Sequence, residues 1–253
     1  MPSRLLRLAA TTAGLIAAWQ ALVLATGVPR FILPAPASVA TALWERRDIL
    51  LANAAITLGE TVLGMLAGTL LGAASALAVA ASPTARRWLL PVLVASQAVP
   101  VFALAPLLVL WLGYGILSKI AMAALIIFFP VAVAFTDGLR RTDPGLLDLA
   151  RTMGASRWDE MRHVRVPAAL PAFGSGLRVA AAVAPIGAVI GEWVGSSAGL
   201  GYLMLHANGR MQTDLLFAAL LVLATMTLTL YFAVDAGLRR ALPWQPDAAP
   251  ASP

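Results

Sequence analysis

The stretch from Asp143 to Pro167 reads DPGLLDLARTMGASRWDEMRHVRVP, and it decides how the rest of the chain is interpreted. It holds four arginines, one histidine and four carboxylates. By contrast, the whole stretch between Glu60 and Arg86 carries no charge. A charged segment with ordered local structure inside such an apolar chain indicates a loop that projects from a membrane-embedded body. We call Asp143–Pro167 the charged loop.

The first half of the charged loop is predicted to be a short helix. Asp143 is a good N-cap residue, and Pro144 follows at the first helical position, where its missing N–H group does no harm. Gly154 can adopt the left-handed conformation that ends a helix. Apolar residues recur at i, i+3, i+4 and i+7, so they form one stripe along the helix: Leu146, Leu149, Ala150 and Met153.

The second half is predicted to be another short helix. Ser156 and Asp159 have the spacing of a capping box. Trp158 and Met161 are expected to share its apolar side, and Pro167 is expected to end it. Two capped helices with apolar sides need a surface to dock against. A positive loop that only anchors the topology on lipid headgroups is the simpler alternative.

The composition places the remaining chain in a bilayer. The chain is 60% hydrophobic and only 12% charged, whereas ordinary globular domains are about 25% charged. Apolar runs near 20 residues can cross roughly 30 Å of hydrocarbon. The predicted fold class is therefore all-α, a polytopic transmembrane bundle of about six spans: Leu8–Thr26, Ala54–Ala81, Leu89–Leu112, Ile120–Phe135, Leu170–Gly191 and Leu215–Val234.

The distribution of basic residues orients this bundle, because Lys and Arg collect on the cytoplasmic side of membranes. With both termini inside, the inner segments hold thirteen basic residues. The outer segments hold five: Arg30, Arg46, Arg47, Lys119 and Arg210. We therefore predict cytoplasmic N- and C-termini and a cytoplasmic charged loop. The first run resembles a signal peptide in its basic start, but it is long enough to span, so we expect it to be retained.

The chain is predicted to form one membrane domain, residues 1–242, with a disordered tail at 243–253. After the first span we expect an extended stretch and then a short interfacial helix. Glycines at four-residue spacing predict close helix packing in two places: Gly64, Gly68 and Gly72, and Gly187 with Gly191. The third run is punctuated by prolines, which indicates a broken helix that lines a translocation pathway. A kink in a packed helix is the alternative.

Several function classes are disfavoured. The absence of cysteine removes disulfides, thiol catalysis and cysteine-ligated metal sites. The two histidines, His163 and His206, fall on opposite sides of the predicted membrane, which argues against a metal-dependent membrane enzyme. The chain has no G-x-x-x-x-G-K-[ST] motif, so it is predicted to bind no nucleotide itself and not to be an enzyme. A secondary transporter or channel is a further alternative, but neither paired repeats nor buried ion-coupling carboxylates are evident.

The charged loop resembles the EAA loop of binding-protein-dependent ABC transporter permeases. Asp148, Leu149 and Ala150 correspond to the opening triplet, Gly154 follows after three residues, and Val164, Val166 and Pro167 close the pattern. The departures are Asp for Glu, Leu for the first Ala, and Val for Ile and Leu. Segments such as LPAPASVATAL and GEWVGSSAGLGYLM extend the resemblance to the nitrate/sulfonate/taurine branch. Within this branch the chain looks most like permeases for thiamine-precursor pyrimidines such as hydroxymethylpyrimidine, with riboflavin permeases second.

This resemblance implies a type I ABC importer permease of the bacterial inner membrane. It implies a homodimer, a separate P-loop ATPase dimer that binds ATP and magnesium, and an extracytoplasmic substrate-binding protein. It implies no cofactor in this chain and no nucleic-acid partner. The coupling loop would span residues 137–169.

Two sets of site residues are predicted on this basis. Those expected to couple the chain to the ATPase are Asp148, Ala150, Arg151, Gly154, Arg157, Val166 and Pro167. Those expected to line the translocation pathway are Gln97, Pro100, Phe102, Glu192, Trp193, Ser196 and Ser197. Glu60 is expected either to face the pathway or to pair with an arginine near the outer interface.

Overall fold

A computed structural model of the chain describes residues 2–96 and 98–244, and all regular secondary structure within them is helical. Besides the α-helices there is a 3₁₀ turn, Val101–Leu104, and a π-helical segment, Glu160–Arg165. The α-helices are α1 Pro2–Thr26, α2 Pro36–Glu45, α3 Arg47–Ala81, α4 Pro83–Ser96, α5 Ala105–Leu112, α6 Ile116–Arg140, α7 Pro144–Thr152, α8 Arg157–Asp159, α9 Val166–Gly195, α10 Leu200–Gly209 and α11 Thr213–Ala241.

Five helices in the described ranges are long and apolar enough to cross a membrane. They are α1, α3, α6, α11 and the continuous helix that ends in α9, and they account for five of the six predicted spans. The third predicted span is broken, as expected from its prolines. It consists of α4, the 3₁₀ turn and α5, with Pro100 before the turn and Pro106 in the first turn of α5, where proline is tolerated.

The chain divides into two compact units. One comprises residues 1–57 and 197–225, and the other comprises residues 58–196 and 226–253. Helices α3 and α11 each contribute to both. The charged loop and most of the predicted pathway residues belong to the second unit.

The core of the second unit is formed by α3, α6 and α9. A Cβ atom added at Gly68 would lie 2.7 Å from the backbone oxygen of Ala124, and one at Gly187 would lie 2.5 Å from Cα of Ala123. Both glycine series therefore pack against α6, which confirms the close helix packing predicted from their spacing. Buried residues fill the space between α6 and α9: Ala123, Ile127, Val131, Ala180 and Ala184.

The order of these contacts fixes the directions of the helices. Gly68 in α3 meets Ala124 in α6, and four residues later Gly72 meets Phe128, so α3 and α6 run parallel. Their C-terminal ends consequently lie on the same side of the bundle. A second cluster closes this end, where Ala76, Phe135, Leu139 and Ala169 are buried together. The charged loop leaves from this end of α6.

The first unit is held by polar contacts near the ends of its helices. Arg30 pairs with Asp214 at 3.3 Å between Nη2 and Oδ2, and the hydroxyl of Thr213 donates to the backbone oxygen of Arg30. Asn53 accepts a hydrogen bond from the backbone N–H of Gly199, at the start of α10. Helix α2 confirms the short helix predicted after the first span, and Ala35 before it is extended.

Candidate functional site

Helix α7 of the charged loop begins and ends as its sequence predicts. The side chain of Asp143 accepts a hydrogen bond from the backbone N–H of Gly145 at 2.7 Å, which caps the helix. Gly154 has a φ of 81°, in the left-handed region that favours glycine. The backbone N–H of Ala155 then donates to the oxygen of Ala150 and closes the last turn. The chain reverses at Gly154 and enters the second helix.

The second helix begins with the predicted capping box. The hydroxyl oxygen of Ser156 accepts from the backbone N–H of Asp159, and the carboxylate of Asp159 accepts from the backbone N–H of Ser156. Hydrogen bonds from the side chain and then the backbone of Ser156 lower the pKa of the exposed Asp159 carboxyl below its ordinary value. The cap is therefore complete at neutral pH.

The prediction that Pro167 ends this helix is wrong. Helix α8 continues through the π-helical segment Glu160–Arg165 directly into α9, and Pro167 is the second residue of α9. Proline is tolerated there because it lies in the first turn of the α segment and the π turn changes the hydrogen-bonding register just before it. The second half of the charged loop is thus a rigid extension of a membrane span.

A network of ion pairs joins the two halves of the loop. Glu160, which is 7% exposed, accepts from Nε of Arg165 at 2.9 Å and from Nε of Arg151 at 3.2 Å. Arg151 also bonds to Asp148 at 3.2 Å within α7. A buried carboxylate that binds arginines from both sides fixes the angle of α7 relative to the helix that becomes α9. Glu160 is not among the residues predicted from the sequence, because only the fold brings it to Arg151.

The apolar stripe of α7 faces outward. Leu146 is 50% exposed, Leu149 57% and Met153 79%, and Trp158 across the turn is 69% exposed. The expectation that Trp158 and Met161 share one side is wrong, because Met161 packs instead against the buried cluster of Ala76 and Phe135. The π-helical register turns these two side chains apart. We call the exposed apolar side chains of the charged loop, Leu146, Leu149, Met153 and Trp158, the apolar patch.

The predicted coupling residues occupy different positions around this patch. Arg157 is exposed, whereas Arg151 and Asp148 belong to the ion-pair network. Ala150, Val166 and Pro167 are half-buried, and Gly154 forms the turn. All seven residues thus lie in the two-helix unit or at its junction with α9.

A second polar feature lies at the opposite end of the bundle from the charged loop. Oε1 of Glu60 in α3 lies 3.4 Å from Nζ of Lys119, near the N-terminus of α6. Glu192, near the C-terminus of α9, is close enough to act on Glu60 electrostatically. All three side chains are buried. We call Glu60, Lys119 and Glu192 the buried charge cluster.

The buried charge cluster corrects two expectations. Glu60 pairs with a lysine rather than an arginine. Buried carboxylates, which were not evident from the sequence, are present in α3 and α9. Intramembrane ionisable residues are functional candidates by default. The available signal was Glu60 inside a predicted span, with Lys119 and Glu192 directly next to two others. Their contact could not be read from the sequence because they come from three helices.

The other predicted pathway residues are placed as follows. Trp193 is 50% exposed although its neighbour Glu192 is buried, so the two occupy different sides of α9. Pro100 and Phe102 are exposed at the break between α4 and α5. Ser196 is the extended residue after α9, and Ser197 is exposed. Gln97 lies outside the described residues.

Known proteins resemble the chain along most of its length. It is 52% identical to a "Probable ABC transporter permease protein" of Haemophilus influenzae, covering 95% of this chain and 98% of that one. It is 41% identical to a riboflavin transport system permease protein of Chloroflexus aurantiacus, covering 88% and 84%. It is 34% identical to a formylaminopyrimidine transport permease protein of Halalkalibacterium halodurans, covering 91% and 92%.

The fold also matches a solved importer. The MetNI methionine ABC transporter superposes with a TM-score of 0.66 over 76% of this chain and 95% of that one, at 20% identity. This likeness places the chain in the same fold as an ABC importer permease. Residues 61–243 match the family model described as the binding-protein-dependent transport system inner membrane component. The chain therefore belongs to that family, the membrane-spanning permease subunits of ABC importers, whose ATPase is carried by a separate subunit.

Proposed function

We propose that the chain forms one half of a homodimeric permease whose charged loop docks on a cytoplasmic ATPase dimer. The ATPase binds ATP and magnesium, and this chain holds no cofactor. An extracytoplasmic binding protein delivers the substrate, and both termini of the permease lie in the cytoplasm. The thirteen-to-five distribution of basic residues supports this orientation.

The observation that carries the docking proposal is the apolar patch. Its four side chains are at least half exposed on a loop that otherwise carries charge, and the caps and the Glu160 network hold them in one arrangement. Preorganised apolar side chains with a charged rim are typical of protein interfaces. In this arrangement Leu149 and Trp158 provide the apolar contact, Arg157 provides a polar rim contact, and Asp148, Arg151 and Gly154 set the geometry.

The coupling mechanism follows from the continuous helix Arg157–Gly195. A displacement of the docked loop is transmitted to α9 without a hinge at Pro167. Nucleotide and substrate drive the permease between inward- and outward-facing states only by binding those states with different affinity. Ala150, Val166 and Pro167 are half-buried where the charged loop joins the membrane-spanning part of the molecule.

We propose that the transported compound is a small nitrogen heteroaromatic molecule. The first candidate is a thiamine-precursor pyrimidine. The formylaminopyrimidine permease relative supports this class, and the riboflavin permease relative makes riboflavin the second candidate. Both compounds combine a planar ring with hydrogen-bonding groups. Trp193, half exposed at the outer end of α9, suits stacking on such a ring. Glu192, buried on a different side of α9, is proposed as a separate polar group of the pathway. Gln97, Pro100, Phe102, Ser196 and Ser197 complete the proposed pathway.

The substrate proposal is tested with the permease reconstituted in lipid together with its ATPase. ATP hydrolysis is measured after adding the binding protein loaded with hydroxymethylpyrimidine, riboflavin or taurine, with unloaded binding protein as the control. We expect the pyrimidine-loaded protein to give the largest stimulation. Stimulation by taurine alone would contradict the heteroaromatic class and leave the permease assignment intact. Stimulation by riboflavin alone would select the second candidate.

A further inference from the structure

The turn between α3 and α4 contains a basic cleft that the proposed function does not use. The cleft has a volume of about 550 Å³. Its apolar wall comes from both helices and its polar groups are two neighbouring arginines: Val79, Ala80, Leu90 and Pro91, with Arg86 and Arg87. The volume falls within the range of roughly 300–1,000 Å³ that is usual for small-molecule sites.

The arginines in this cleft lie in a stretch of sequence that has no acidic residues. No acidic residue occurs in the sequence between Glu60 and Asp137. Among the described residues neither Arg86 nor Arg87 forms an ion pair, in contrast to Arg151, Arg165 and Arg178, which each bind a carboxylate. Two adjacent guanidinium groups without a carboxylate favour an anion with several oxygens, and phosphate matches their geometry.

The position of the cleft identifies the source of the phosphate. Because α3 and α6 run parallel, the end of α3 that leads into the cleft lies on the same side of the bundle as the charged loop. In the orientation proposed above this is the cytoplasmic side, where membranes carry anionic lipids. The two arginines therefore sit at the level where α3 leaves the apolar span, as expected for contact with headgroups.

The surface next to the cleft fits the rest of a lipid molecule. Trp88, directly after the arginines, is 72% exposed, and an exposed tryptophan beside charge is typical of the membrane interface. Leu90 and Val94 lie four and eight residues after Arg86 on the same side of α4, and the 65% exposed Val94 continues the apolar surface beyond the cleft. A free anion would gain nothing from this surface, whereas acyl chains would cover it.

We propose that Arg86 and Arg87 bind the phosphate of an anionic glycerophospholipid, with the acyl chains lying along Leu90 and Val94. Each permease chain would hold one such lipid at the α3–α4 turn. The site is separate from the apolar patch and from the buried charge cluster.

The test uses the full-length permease in complex with its ATPase, purified in detergent. The complex is equilibrated with an equimolar mixture of phosphatidylglycerol and phosphatidylcholine of identical chains, and the retained lipids are counted by native mass spectrometry. We expect the wild type to retain phosphatidylglycerol preferentially. The double variant Arg86→Gln/Arg87→Gln should lower this preference roughly 10- to 30-fold. Arg86→Lys/Arg87→Lys should retain part of it, because the charge remains.

Two controls make the outcome decisive. Arg140→Gln/Arg141→Gln removes the same charge from the same side of the bundle without touching the cleft, and it should leave the preference unchanged. An equal loss in this control would show a diffuse basic surface instead of a site and would overturn the proposal. Equal retention of both lipids by the wild type would also overturn it. So would displacement of phosphatidylglycerol by inorganic phosphate, since the occupant would then be a free anion.

Discussion

At the scale of single residues, Gly154 offers the most specific test of the loop geometry. A Cβ atom at this position would meet nothing within 4 Å, so the φ of 81° is the one obstacle to a side chain. Gly154→Ala should therefore strain the turn by about 1–2 kcal/mol and let α7 change its angle. We expect fewer substrate molecules transported per ATP hydrolysed, measured in proteoliposomes.

The control for Gly154 is Gly237→Ala in α11. Its added Cβ also meets nothing within 4 Å, but Gly237 does not have a positive φ. Alanine favours helices over glycine, so this variant should be neutral or slightly more stable. Equal transport per ATP in both variants would show that the left-handed turn does not matter for coupling.

Lys119 tests the buried charge cluster. Lys119→Met leaves Glu60 without its partner at 3.4 Å, in a position that is 1% exposed. Removing one member of a buried ion pair typically costs 3–5 kcal/mol, so we expect unfolding in detergent at a clearly lower temperature. The double variant Lys119→Met/Glu60→Gln should recover part of this loss, because it removes the uncompensated charge. A single variant with wild-type stability would contradict a structural pairing.

At the scale of elements, the contact between α3 and α6 depends on glycine. A Cβ atom at Gly68 would lie 2.7 Å from the oxygen of Ala124 and 2.9 Å from Cβ of Ile127, both in the facing helix. Gly68→Ala should therefore push the helices apart and destabilise the chain by about 1–3 kcal/mol, measured by thermal unfolding. Gly59→Ala in the same helix is the matched control, since nothing lies within 4 Å of its Cβ. Equal effects of the two variants would contradict close packing at Gly68.

Helix ends were predicted correctly from the sequence where they depend on residues close together in the chain. The Asp143 cap, the Gly154 turn and the Ser156 capping box depend on residues within a few positions of each other, and all three are present. The prediction that Pro167 ends a helix was wrong because the effect of a proline on a helix depends on whether the preceding turn is α- or π-helical. A single proline carries no information on that register.

At the scale of the whole molecule, length and hydropathy were sufficient to predict an all-helical membrane protein, and the loop motif was sufficient to predict its family. Contacts between distant segments were not predictable. Glu60 meets Lys119, and Glu160 meets Arg151, only after helices have packed in one register. The ion-pair partner of a charged residue cannot be identified from a single sequence. For the same reason the basic cleft emerged from the structure, since Val79 and Leu90 lie on different helices.

The central claim is that the apolar patch is the surface that the ATPase binds. Leu149→Asp places a carboxylate in the patch, and burial of leucine is worth about 1.5–3 kcal/mol, so binding should weaken roughly tenfold or more. Thr152→Asp adds the same charge to α7 outside the apolar stripe and serves as the control.

The most direct measurement is the affinity of the purified ATPase for the permease and for these two variants in lipid nanodiscs. We predict at least about a tenfold loss for Leu149→Asp, with uptake lost in parallel, and near wild-type affinity for Thr152→Asp. Wild-type affinity and normal uptake with Leu149→Asp would contradict the account.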